Sequence, residues 1–289
     1  MDRKDRIDGV GAAALVAFAV LLGFNQVVIK VSTAGIEPIF MAGLRSVGAL
    51  VLIWLWCWAR GITLSLPRKA WAGAVMLGLL FTAEFIFLYL ALDWTNVARA
   101  SIIFYSMPIF VALAAHFLIP GETMSGARAL GLVLAMLGVA WVMAKPGEAS
   151  IGGDIAALMA AISWAGIALV IRVTPLSEVT PEAQQISQLT ISSVLLLALS
   201  PLFGPMLRDP TALHWAGLGF QTIAVASFGY LFWYFLMKRY PASAVASFSF
   251  LSPVFGVGFG WQFLDEPIGM EIVGGLSLVA VGITLINRR

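Results

Sequence analysis

WAGAVMLGLLFTAEFIFLYLAL (residues 71–92) and WAGLGFQTIAVASFGYLFWYFL (residues 215–236) begin on the same Trp-Ala-Gly, 144 positions apart, and each is an apolar run of membrane-crossing length. The echo extends outward from this pair. Glu122 recurs as Glu266, Gly131 as Gly275 and Gly138 as Gly282 at the same spacing, while Pro108 recurs as Pro253 at 145 and Lys30 as Arg172 at 142. The chain therefore reads as two copies of one unit, 1–145 and 146–289, joined through the short turn Lys145-Pro146-Gly147-Glu148-Ala149-Ser150, which proline and glycine punctuate. A unit with an odd number of crossings inserts its second copy upside down, an arrangement characteristic of carriers with alternating access.

Composition agrees. With 61% apolar and 11% charged residues and a mean hydropathy of +0.96, this is no ordinary soluble domain. A hydrocarbon core of ~30 Å needs about 20 apolar residues per helix. Ten such runs follow one another, roughly 8–30, 37–59, 70–92, 97–118, 126–144, 153–172, 182–203, 213–236, 242–264 and 268–287, and the connections leave no room for a soluble domain. The expected fold is an all-α membrane protein of ten transmembrane helices, arranged as two inverted five-helix repeats. A net charge of +2, sorted by membrane side with no basic stripe, gives no reason to expect a nucleic-acid partner.

That sorting sets the orientation. With a cytoplasmic N-terminus, Arg3, Lys4, Arg6, Arg60, Arg68, Lys69, Arg128, Arg172, Lys238, Arg239, Arg288 and Arg289 lie inside, against Lys30, Arg99, Lys145 and Arg208 outside. Positive residues favour the cytoplasmic side, so both termini are expected there. The basic N-terminus precedes a stretch of span length that no small-residue cleavage site closes, unlike a secretory signal. A bacterial inner membrane suits such a chain. The one cysteine, Cys57, excludes a disulfide framework and a thiol metal site.

Pro38 and Pro181 fall at first turns of helices, where a missing N–H costs nothing, and Thr180 is placed to cap the second of these. Pro108 and Pro253 differ. Each lies about 11 residues into its span, or ~16 Å at 1.5 Å per residue, in the middle of the bilayer. A proline there removes a backbone hydrogen bond and kinks the helix. Interruptions at matching positions of two halves point to a midplane substrate site and a hinge. Small residues at Ala127, Gly131 and Ala135, and at Gly274, Gly275 and Gly282, suit close helix contact in lipid. They are read as internal packing, with a monomer expected and a homodimer as the alternative.

Charges at bilayer depth cost at least ~2.5–3.5 kcal/mol on insertion scales and are functional candidates by default. Two stand out, Arg45 in the second span and Glu84 in the third, at depths of about 12 and 9 Å below the outer surface. Asn25 and Gln26 share their layer. Three readings stay open: a structural Arg45–Glu84 pair, recognition of a zwitterion whose carboxylate meets the guanidinium and whose ammonium meets the carboxylate, and a coupling proton carried by Glu84. In the second copy Arg45 maps onto Gln188 and Glu84 onto Phe228. An aromatic and amide-rich set accompanies them: Trp164, Gln184, Gln185, Gln188, Gln221, Tyr230, Trp233, Tyr234, Phe248 and Phe250, with Tyr89, Phe104 and Tyr105 from the first copy. Tyr105, Phe248 and Ser249 precede the midplane prolines by a few residues. The candidate binding set is Asn25, Arg45, Glu84, Tyr89, Tyr105, Trp164, Gln188, Tyr230, Trp233, Phe248 and Ser249. Such a lining suits a largely apolar or aromatic solute with a few polar handles, and not a phosphate ester.

His116 and His214, far apart and without a Cys or carboxylate cluster, make no metal site. No G-x-S-x-G, phosphate loop or H-E-x-x-H is present, so an intramembrane hydrolase or ATP-driven pump lacks its parts. Neither enzyme activity nor a cofactor is expected.

On the doubled five-span unit, the basic residue closing spans 1 and 6 (Lys30, Arg172), the Pro108 and Pro253 kinks, and the joints at Glu122 and Glu266 before spans 5 and 10, the chain resembles the drug/metabolite transporter superfamily in its ten-helix EamA-type branch. More narrowly it resembles the bacterial aromatic amino-acid and metabolite exporters of that group. The resemblance implies two antiparallel basket-like bundles around a central cavity, lined by spans 3, 4, 8 and 9 and parts of 1, 2, 6 and 7, with spans 5 and 10 to the side. Members carrying nucleotide sugars or triose phosphates have more cationic sites. Four-span multidrug members keep an essential Glu in the first helix, where this chain has none. The expected function is an inner-membrane exporter of aromatic and other neutral amino acids or related metabolites, working by alternating access and leaning toward facilitated diffusion. The alternative is a proton-coupled multidrug or quaternary-cation exporter using cation–π contacts.

Overall fold

The computed structural model describes residues 8–118, 125–144, 150–240 and 251–287. Among them, eight helical stretches are long and apolar enough to cross a membrane, and Met270–Ile286 is a shorter apolar helix. In chain order the helices are α1 (Gly9–Thr33), α2 (Pro38–Ala59), α3 (Trp71–Trp94), α4 (Val97–Phe104), α5 (Met107–Leu118), α6 (Gly126–Ala144), α7 (Ile151–Val173), α8 (Pro181–Leu199), α9 (Ala212–Phe220), α10 (Tyr230–Arg239), α11 (Leu251–Leu264) and α12 (Met270–Asn287). No strand is present among the described residues beyond the isolated antiparallel bridge of Ile36 with Leu207.

Local chemistry sets the starts. The Asp8 carboxylate accepts from the Gly11 N–H at 2.8 Å and also from the Tyr240 hydroxyl at 2.8 Å, tying the start of α1 to the end of α10. Glu37 caps α2, its two oxygens accepting from the N–H groups of Ile39 (3.0 Å) and Phe40 (2.6 Å). Pro38 and Pro181 occupy first turns as expected. Thr180 holds the N-cap position of α8, but its side chain makes no capping bond. His214 acts locally, accepting from the Thr211 N–H at 2.9 Å.

Two spans depart from a simple helix. The fourth is expected as one kinked rod, yet it is two helices, α4 and α5, broken at Tyr105–Ser106. Pro108 has no N–H for the Phe104 carbonyl and its ring crowds that carbonyl, so the interruption falls upstream of the proline. Ser106 supports the break, its hydroxyl donating to Ile103 O at 2.6 Å and its carbonyl accepting from Ile109 N at 2.9 Å. Pro253 is buried in the first turn of α11, and the residues that precede this helix, 241–250, lie outside the described ones.

The eighth span is unexpected. Between α9 and α10 the chain runs as a π-helix over Gln221–Gly229, and the Ser227 hydroxyl donates to Thr222 O, five residues back, at 2.8 Å. The wider i→i+5 turn changes which face each residue takes. Phe228, the counterpart of Glu84, is 67% exposed on the outside of the bundle, whereas Glu84 is 6% exposed within it.

The halves interlock. α2 packs on its repeat counterpart α8, α6 on its counterpart α12, α3 on α7, and α1 on both α9 and α11. The α6–α12 contact is the tightest to read. A Cβ on Gly131 would lie 2.6 Å from the Gly282 carbonyl oxygen and one on Gly282 2.5 Å from that of Gly131, and Gly138 faces Gly275 in the same way. The early glycine of one helix meets the late glycine of the other, so the two run antiparallel. The small-residue stripe is thereby occupied inside the chain. Replacing Gly282 by Val overpacks backbone against backbone and should cost about 1–3 kcal/mol, read as a lowered melting temperature of the purified protein. Gly258→Ala, whose Cβ meets nothing within 4 Å, should not lower it.

Candidate substrate cavity

A cavity of about 710 Å³ occupies the middle of the bundle. Asn25, Arg45, Glu84, Tyr105, Trp164, Gln188, Tyr230 and Trp233 all stand on its wall, as does Pro108. Of the other expected residues, Tyr89 is fully buried behind the wall, and Phe248 and Ser249 lie outside the described residues. Pro253 is off the wall while its neighbour Ser252 is on it. From the midplane the lining runs to Leu15, His116, Arg128 and Arg172, at helix ends on the Arg172 side.

Arg45 and Glu84 share the cavity without meeting. Among the described contacts no hydrogen bond or ion pair joins them; the Arg45 guanidinium lies over the Phe85 ring, 4.1 Å from its centroid. Phe85 and Glu84 are consecutive on α3, and consecutive helical side chains diverge by about 100°. Stacking on one therefore turns the guanidinium from the other. Phe81, Phe85 and Tyr89 form a continuous aromatic stripe on α3, with centroids 4.6 and 5.9 Å apart. That four-residue period is the signal in the sequence that picks out Phe85, which the charges alone do not.

The opposite walls are aromatic and amide. Phe104 stacks on Trp164 at 4.9 Å, with Tyr105 edge-on to the same indole at 5.9 Å, and Phe18 stacks on Trp233 at 5.2 Å. Gln26 donates to the Tyr105 hydroxyl at 3.4 Å and Gln188 donates to Gln185. Among the described residues, Asn25 Oδ1, Gln26 Oε1 and Arg45 Nε are buried without a hydrogen-bond partner. Each such atom costs roughly 1–3 kcal/mol while it stays unsatisfied.

On the Lys30 side polar contacts join the halves, which sorting charges by membrane side does not reveal. Glu266 accepts from the N–H groups of Val97 (2.6 Å) and Ala98 (2.9 Å), capping α4 from the other repeat. Burial pushes its carboxyl upward from the ordinary value, and these two N–H groups and the nearby Lys30 oppose that. Arg99, 4% exposed, pairs with Asp154, fully buried; its Nε donates to Oδ1 at 3.1 Å and the Thr95 hydroxyl donates to the same oxygen at 3.2 Å. Arg208 reaches Asp93 at 3.1 Å. Lys30 donates to the carbonyls of Asp93 and Thr95.

The profile of the EamA-like transporter family matches residues 9–144 and, a second time, 151–288. The chain belongs to the EamA-like transporter family. It is a multi-pass membrane transporter with an internal repeat. It is 29% identical to an uncharacterized transporter of Bacillus subtilis (strain 168), over 96% of this chain and 92% of that one. It is 27% identical to a probable amino-acid metabolite efflux pump of Escherichia coli (strain K12), over 96% and 93%. A crystal structure at 20% identity, covering 95% of this chain and 96% of its own, superposes with a TM-score of 0.69 and shows the same fold.

Stability of this EamA-like chain should depend on the Arg99–Asp154 pair. Removing one member of a buried pair strands the other and costs about 3–5 kcal/mol, whereas apolar replacement of both is far milder. Arg99→Met alone should therefore depress the melting temperature strongly. Arg99→Met with Asp154→Leu should recover most of it.

Proposed function

We propose that this transporter exports aromatic and other neutral amino acids, or metabolites of the same chemistry, across a bacterial inner membrane. The observation that carries the reading is the separation of Arg45 from Glu84 in one cavity among aromatic rings. A guanidinium and a carboxylate that do not neutralise each other offer two ends of opposite charge, which a zwitterion fills with its own carboxylate and ammonium. The aromatic walls suit an apolar side chain. The printed name of the Escherichia coli relative, an amino-acid metabolite efflux pump, supports this direction. An exporter of quaternary cations is less consistent with the site, since Arg45 repels a ligand without an anion.

The accompanying architecture is ten spans in two inverted repeats, 1–145 and 146–289, with both termini cytoplasmic and one chain as the working unit. The antiparallel contact of Gly131 with Gly282 and of Gly138 with Gly275 supports the inversion. In this orientation the Lys30 side faces out and is shut, and the cavity reaches toward the cytoplasm, the side from which an exporter loads. Alternation then requires α4, freed by the break before Pro108, to leave Glu266 and Asp154, with Pro253 as the matching hinge of the second repeat. With Glu84 the one clear midplane carboxylate, facilitated diffusion is the simpler mechanism.

Purified protein in liposomes tests this with labelled phenylalanine, tryptophan and threonine. Saturable flux of at least one, little changed by a pH gradient, is expected. Arg45→Ala should lower it about tenfold or more, the worth of one hydrogen-bonded charge, while folded yield is kept. No flux of any amino acid, or faster flux of a quaternary amine, sinks the reading.

A further inference from the structure

A second cavity, of about 400 Å³, shares no lining residue with the central one. It is a crevice between the repeats. Trp71 and Val75 of α3 line one side, Ile186 and Thr190 of α8 the other, and Leu64 and Leu66 of the α2–α3 connection complete the wall. The Trp71 indole N–H donates to Leu66 O at 3.2 Å, which holds that connection against the ring. Trp71, Val75 and Leu64 are exposed on the outside of the bundle, so the crevice opens sideways, where a membrane protein meets acyl chains. It narrows along α3. A Cβ on Gly78 would lie 2.5 Å from the Cβ of Ile191, so α3 and α8 touch there, about 10 Å beyond Trp71 at 1.5 Å per residue.

A cation stands at the open end. Arg68–Ala70 is a single 3₁₀ turn leading into α3, and the Trp71 N–H donates to Arg68 O. Side chains three apart eclipse in such a turn, so Arg68 leaves from the same face as Trp71. Among the described residues no acidic side chain pairs with exposed Arg68, whereas its neighbour Lys69 is bridged to Glu178 of the other half. The repeat supplies an internal comparison. Trp71 recurs as Trp215, but Arg68 recurs as Ala212, so the cation beside the tryptophan exists on one side of the membrane only. In the proposed orientation that side is cytoplasmic. An apolar slot, an interfacial tryptophan and an unpaired cation in series match a molecule whose acyl chain is joined to an anionic headgroup.

We propose that the α3–α8 crevice binds an anionic phospholipid, with one acyl chain between the repeats and the headgroup phosphate on Arg68. Any apolar face of the bundle is wetted by lipid; selectivity for headgroup charge is what Arg68 adds. Because one wall comes from each repeat, the bound lipid touches both halves, beside the Lys69–Glu178 bridge.

Native mass spectrometry of the purified protein in neutral detergent tests this, with phosphatidylglycerol and phosphatidylcholine of the same chains titrated separately. Phosphatidylglycerol should bind about fivefold more tightly, the scale of one basic residue near an anionic lipid. Arg68→Gln should erase that preference while leaving phosphatidylcholine binding unchanged. Thr190→Trp, which fills the crevice, should weaken both lipids, and glycerol phosphate without acyl chains should not compete. Should Thr190→Trp not fold, Ser187→Leu carries the same expectation. Equal binding of the two lipids by the wild type, a preference that survives Arg68→Gln, unchanged binding in the filled crevice, or competition by glycerol phosphate alone each overturns the proposal. None of these results touches the transport reading, which rests on the central cavity.

Discussion

A cation and an anion at the same depth of an apolar bundle attract strongly, and a membrane gives each few other partners. Arg45 and Glu84 stay apart because the guanidinium face is taken by Phe85. The polarity of the cavity depends on this arrangement. Were the two charges paired, the remaining wall would be an aromatic and amide slot with no reason to prefer a charged end group. Held apart, they make a site with direction.

The rest of the molecule supplies the frame for the proposed site. The repeat gives interlocking contacts that are close to symmetric, α2 with α8 and α6 with α12, and these form a scaffold where backbone touches backbone at paired glycines. The Lys30 side is different in kind. There the fastening is polar and crosses from half to half: Glu266 on the start of α4, Asp154 on Arg99, Arg208 on Asp93. Such contacts are directional and exchangeable with water, whereas the glycine seam is neither. A carrier needs both, a seam that stays and a fastening that lets go.

The eight long apolar helices among the described residues were legible because hydrophobic length is nearly sufficient to define a membrane helix. Hidden features share a cause: each depends on which way a side chain turns. The break at Tyr105–Ser106 sits upstream of Pro108 because the proline acts on the carbonyl four residues earlier. The π-helix over Gln221–Gly229 has no hydropathy signature, so Phe228 reads as the cavity counterpart of Glu84 when it faces outward. Depth alone made an Arg45–Glu84 pair reasonable, and only the rotation of α3 decides for Phe85. Arg99 was legible only as an outside charge, since nothing local says that it and Asp154, 55 positions apart, share one buried spot.

The most direct measurement is a structure of the protein with phenylalanine bound. The account places the substrate carboxylate on Arg45, its ammonium on Glu84 with the Asn25 and Gln26 oxygens near, and its ring against the Phe104–Trp164 wall. A substrate bound elsewhere, or an Arg45–Glu84 ion pair closed beside it, contradicts the claim that these two charges are kept apart to receive a zwitterion.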